Sequence, residues 1–163
     1  MSESHSIAQR LREVLLQGHW IANTNFKAQI ERLSLAQAIQ KTGNLNSVAA
    51  LTYHVLYYVS GLLKVLQGGP LDIRDQYSFD LPPLDTEAAW KELVAEFLGK
   101  AEALACEIEK MPDEKLETPF VDSIYGTYRR NLDGLIEHSY YHLGQVVWLQ
   151  KLLATAKEPM GEH

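Results

Sequence analysis

The chain has 163 residues, enough for one domain that buries about two-thirds of the surface its unfolded form exposes. Hydrophobic residues make up 46% and charged residues 22%, the balance of an ordinary globular domain rather than a disordered or fibrous chain. The net charge of −6, with no dense Lys/Arg block, excludes the electrostatic footprint of a nucleic-acid binder, and Arg129-Arg130 is too small a cluster to change that.

The N-terminal MSESHSIAQRLRE is polar and lacks the apolar centre of a signal peptide. Ile7, Leu11, Val14, Leu15, Gly18 and Ala22 recur at helical spacing and predict a first helix over 5–32. Asn25 and Gln29 continue its inward face, where unpaired polar groups are costly. They either line a polar cavity or mark where the helix leaves the core. Ser34 is placed to cap a short following helix, SLAQAIQ. After KTGNLN breaks the period, Asn46 or Ser47 caps a second helix over 47–67, which stops at Gly68-Gly69-Pro70.

GGPLDIRDQYSFDLPPLD follows, a long connection with little helical period, of the kind that often carries function. Asp85 or Thr86 starts a third helix, striped by Trp90, Leu93, Val94, Phe97, Ala101, Leu104 and Ile108 and ended by Met111-Pro112. Cys106 falls nearly opposite that stripe, a poor place for a core ligand. As the one cysteine, it also forbids an internal disulfide and favours a reducing compartment. A fourth helix runs from Thr127 to Ala154, with Leu132, Leu135, Ile136, Ser139, Leu143 and Val146 inward.

Four substantial helices without a period of two give an all-α helical bundle in one domain, 1–163. The long second connection permits two consecutive helices to run parallel. No apolar run approaches the ~20 residues that span a bilayer, so no membrane partner is expected and the chain is placed in the cytoplasm.

The fourth helix holds EHSYYHLGQ. His138 and His142, at i and i+4, lie ~40° apart around the axis and ~6 Å apart along it, so their imidazoles can share one ion. They sit beside the apolar stripe and face a groove, together with Asn131, Gln145 and Leu149. The second helix brings His54 to the side that carries Leu51, Tyr58 and Leu62. Two histidines from one helix and one from another supply three neutral nitrogens to zinc, nickel or iron, and leave positions open for water or substrate. The plainer alternative is an i,i+4 pair that is exposed or merely hydrogen-bonded. His5 and His163 lie near the termini, and His19 lies to one side of the first stripe, more in keeping with an interhelical or surface histidine than a ligand.

NSVAALTYHVLYYVSGLLKVL, followed much later by EHSYYHLGQVVWLQKLL, resembles the DinB-like family of metal-dependent bundle proteins. That family carries one histidine on the second long helix and H-x-x-x-H on the last, commonly followed by Gln. Here these match His54, His138, His142 and Gln145. The resemblance covers the whole chain in helix order and spacing. It implies a four-helix bundle with an up-down-down-up path and a long crossover, a three-histidine site for zinc or nickel, and a homodimer. It also implies kinship with transferases and isomerases that use a low-molecular-weight thiol.

Three functions compete. The first is a metal-dependent transferase or hydrolase, in which the ion activates a thiol cofactor or water against a small electrophilic substrate. Gln145, Asn131 and Asn25 are then expected to contact cofactor, ligands or substrate, and Arg129 or Arg130 can bind a substrate carboxylate, although surface or dimer salt bridges are their default role. Tyr58 and Tyr141 either donate hydrogen bonds or pack between helices, and Glu137 can orient a histidine or serve as a base, although its direction ~100° from His138 favours an exposed surface role. The second is a non-catalytic metal-binding or stress-response protein with a closed coordination sphere. The third is a bundle without a metal that acts through Tyr53, Tyr57 and Trp148 as interface residues.

Overall fold

The computed structural model describes residues 2–155, which form an all-α bundle with no strand among them. Helix α1 (Glu3–Arg12) is capped by Ser2, whose hydroxyl accepts from the His5 N–H. It widens into a π-helical turn, Glu13–Gln17, and stops at extended Gly18. The expected single helix over 5–32 is therefore broken. A Cβ at position 18 would stand 2.0 Å from Glu13 Cγ, so the chain leaves the axis at the one residue without a Cβ. Asn23 then takes a left-handed φ of 56°, which asparagine tolerates.

Asn25 caps the next helix, α2 (Phe26–Ile30), accepting from the Ala28 N–H at 2.9 Å and donating to the Gly18 carbonyl at 3.1 Å. Gln29 donates to Thr24 and accepts from Arg32 and Gln150. The two inward polar residues thus belong to the break and its packing against the last helix. Ser34 and Gln37 form a reciprocal capping box on α3 (Leu35–Ile39).

Ser47 caps α4 (Val48–Leu66) and Thr86 caps α5 (Glu87–Glu109), each satisfying an otherwise orphaned N–H for ~1 kcal/mol. A short α6 (Asp113–Leu116) precedes α7 (Tyr128–Thr155). Side-chain pairing gives the helix directions. Arg12 meets Glu102 and Glu109 while Asp113 accepts from the Glu3 N–H, so α1 and α5 are antiparallel. Arg10–Asp133 and Arg129–Glu3 align α1 parallel to α7. Leu51 shares a groove with Leu149 and Leu62 shares one with Leu135, so α4 and α7 are antiparallel. The path is up-down-down-up, and residues 67–86 cross over between parallel α4 and α5.

Trp90, Phe26, Phe97, Leu11, Leu104 and Leu143 fill the core, and the Trp90 indole N–H donates to the Leu33 carbonyl at 2.9 Å. Among the described residues α4 alone is long and apolar enough to cross a membrane, although Thr52, His54 and Ser60 interrupt its apolar run. That segment is 67% buried inside the bundle, as the central helix of a packed core is.

Candidate metal centre

The α4–α7 seam brings the three histidines together. His54 and His142 are each 6% exposed, and His138 is half-buried. His138 Nε2 lies 3.1 Å from His54 Nε2 and 2.9 Å from His142 Nε2, and all three ligand nitrogens fall within 4.8 Å of one another. Among the described residues no aspartate, glutamate or cysteine joins the group.

Hydrogen bonds on the far side of the rings set their protonation. His54 Nδ1 lies 3.3 Å from the Ser78 carbonyl, which only accepts, so the proton is on Nδ1 and Nε2 is bare. His142 Nδ1 lies 2.7 Å from Gln145 Oε1, with the same result. A proton on His138 Nε2 satisfies one of its two contacts but not both. Lone pairs therefore face each other in a buried site, an arrangement that a cation resolves. Three nitrogens bonded to one zinc at ~2.0–2.1 Å stand ~2.9–3.4 Å apart, so the two observed separations fit a shared ion.

The electrostatics agree. Burial pushes His54 and His138 down to about 4, and proximity to His142 adds to the shift in both. Burial also lowers His142, against the opposing effect of the hydrogen bond it donates to Gln145. All three are neutral ligands at neutral pH.

Aromatic rings frame the group. Phe79 stacks on His54 with centroids 4.0 Å apart, Tyr58 stands edge-on to His54 and His138, and Tyr141 stands edge-on to His142. Tyr58 donates to Asp75 at 2.9 Å. Ser78 and Phe79 come from the crossover, so the long connection covers His54. Their roles escape periodicity because a carbonyl has no residue signature. The connection's length is the one signal pointing there.

The other candidates separate. Gln145 touches His142. Asn131 lines a cleft of ≈ 440 Å³ with His138, though its amide hydrogens go to the Tyr125 and Thr127 carbonyls. Asn25 is buried, with both ends of its amide committed to the α2 cap. Glu137 is exposed and pairs with Arg130, while Arg129 pairs with Glu3 and Glu117. Cys106 lies by Arg12 and Glu102 in the α1–α5 seam, and His19 is exposed. His5 faces Glu109 at 3.3 Å, and His163 lies outside the described residues.

No curated protein and no solved structure matches the chain. The family model described as the DinB superfamily matches residues 22–146, a span that contains His54, His138, His142 and Gln145. With three quarters of its length matched and the all-α bundle in place, the chain belongs to the DinB superfamily.

Proposed function

We propose that this protein is a metal-dependent enzyme in which a divalent ion, zinc or nickel, held by His54, His138 and His142 activates a low-molecular-weight thiol or water for transfer to a small electrophilic substrate. The observation that carries this reading is a three-nitrogen group with no fourth acidic or thiol ligand among the described residues and a ≈ 440 Å³ cleft that reaches His138. When bound there, the ion supplies Lewis acidity that lowers the pKa of a thiol or water.

The chain's own residues have distinct parts. The Ser78 carbonyl and Gln145 Oε1 hold His54 and His142 in the tautomer that presents Nε2. Phe79, Tyr58 and Tyr141 shield the rings from water and lower the local dielectric. A non-catalytic metal store needs a closed site without an adjoining cavity, and the cleft argues against that alternative. The reading also takes the protein to be cytoplasmic and homodimeric, with exposed Trp148, Tyr141 and Leu152 along α7 as apolar surface for a second copy.

The test is conjugation of a model electrophile, 1-chloro-2,4-dinitrobenzene, across a panel of biological thiols. The expected result is thiol-dependent turnover that stops on chelation, returns with zinc or nickel and is missing in His54→Ala. No turnover in fully metal-loaded protein across a broad panel of thiols and electrophiles would put the non-catalytic metal-binding reading ahead.

A further inference from the structure

We propose that the cleft beside His138 selects substrates that carry a carboxylate, held by Arg130 about one helical turn from the three-histidine group. This inference rests on the metal-dependent reading above and names its substrate class. Arg130, Gly134 and His138 are four residues apart along α7, so they stack on one helix face, and all three line the cleft. The Arg130 side chain runs toward His138: its Nη1 lies 3.9 Å from where a Cβ on residue 134 would stand. The cation is thus ~6 Å along the axis from the level of His138.

Gly134 is informative because nothing else lies within 4 Å of that Cβ position. Close packing does not demand a glycine there, and glycine weakens a helix interior. Its effect is to leave the floor of the cleft clear between the guanidinium and the histidine. Leu62 and Leu135 supply apolar wall, and the volume suits a small molecule.

The two adjacent arginines differ in availability. Arg129 is tied to Glu117 and Glu3, which fastens α7 to α1 and the loop after α6. Arg130 meets one carboxylate among the described residues, Glu137 at 3.2 Å, and these side chains are 67% and 63% exposed. Such a pair contributes little. A substrate carboxylate displaces Glu137 and receives two parallel hydrogen bonds from the planar guanidinium. Phosphate is the other anion of this chemistry. One arginine with Glu137 beside it matches the single charge of each carboxylate end of a small acid better than the doubly charged head of a phosphate.

The test titrates cobalt(II)-loaded protein with 3-mercaptopropanoate and, separately, with uncharged 3-mercaptopropan-1-ol, following the thiolate–cobalt absorption and the heat of binding. Glutarate and inorganic phosphate are titrated into metal-free protein. The wild type is expected to bind the acid about tenfold more tightly than the alcohol. Arg130→Gln removes that difference and leaves the alcohol's affinity alone, while Glu137→Gln widens it about twofold. Glutarate binds metal-free protein more tightly than phosphate does, through Arg130. Equal affinity for acid and alcohol in the wild type, equal weakening of both in Arg130→Gln, or phosphate bound more tightly than glutarate overturns the carboxylate subsite. Failure of the metal-dependent reading has another signature: neither thiol perturbs the cobalt spectrum, yet glutarate binding still depends on Arg130.

Discussion

Two helix seams of this bundle bury polar groups, and they resolve the cost in opposite ways. Between α1 and α5, Arg12 is almost fully buried, and its guanidinium is met by Glu102 at 2.7 Å and Glu109 at 2.6 Å. Hydrogen bonds donated to both carboxylates hold Arg12 far above the usual arginine range, and Arg12 in turn holds Glu102 and Glu109 below the usual carboxylate range. That seam is complete within the chain. Between α4 and α7, His54 and His142 turn unprotonated Nε2 atoms toward His138 Nε2, and the chain supplies no positive partner among the described residues. The difference separates a polar cluster satisfied by its own sequence from a group that, on the proposed reading, a cation satisfies.

Addition of a divalent cation tests this difference most severely. Zinc at a hundredfold excess over its Kd is expected to stabilise the wild type by ~2.7 kcal/mol, read as a concentration-dependent rise in melting temperature. The rise disappears in His138→Ala. A comparable rise in that variant would place the ion elsewhere. Next in size is the other seam. Arg12→Met leaves two carboxylates without their partner and is expected to destabilise the fold by about 1–3 kcal/mol in urea, the half-exposure of Glu102 moderating the effect. Metal stoichiometry stays unchanged. Loss of metal in Arg12→Met would show that the seams are not independent.

Gln145→Leu removes the acceptor that orients His142 and is expected to weaken metal binding about 10–100-fold without unfolding the bundle. Competition with a chromogenic chelator measures it, and an unchanged Kd would remove Gln145 from the site.

The seams also differ in their response to pH. Unfolded histidines protonate near 6.5, whereas folded His54 and His138 do so near 4. Between those values the unfolded chain binds more protons, so metal-free stability rises with pH there and falls as pH drops from about 6.5 toward 4. The depressed carboxylates of Glu102 and Glu109 act lower. Their contribution is present above the unfolded value of 4.5 and is lost as pH falls below it. Melting temperature against pH is therefore expected to decline in two stages, and His54→Ala shrinks only the upper one. A single decline below 4.5 would contradict the buried, neutral state of the histidines.

Much of the bundle is legible in the sequence alone. The stripe of α5 and the i,i+4 pair His138–His142 fall where a fixed period puts them, and of the two caps expected at each start the structure uses Ser47 rather than Asn46 and Thr86 rather than Asp85. The break after Gln17 is not legible. Ile7 through Ala22 keep helical spacing, and only the collision between a Cβ at Gly18 and Glu13 shows why the chain turns out. Asn25 misleads for the same reason: a residue that points inward on a continuous helix is in fact the cap of a new one. The cover over His54 is hidden more deeply. Ser78 acts through its carbonyl, and Phe79 reaches His54 from 25 residues away across an irregular crossover. Backbone acceptors and long-range stacking leave no period to read.

Completion of the α4–α7 seam by one ion is tested by equilibrium dialysis of untagged protein against zinc or nickel, followed by elemental analysis. One ion per chain is expected in the wild type and in Arg12→Met, and none retained by His54→Ala, His138→Ala or His142→Ala. Wild-type protein that retains no ion, or histidine variants that retain a full equivalent, would contradict it.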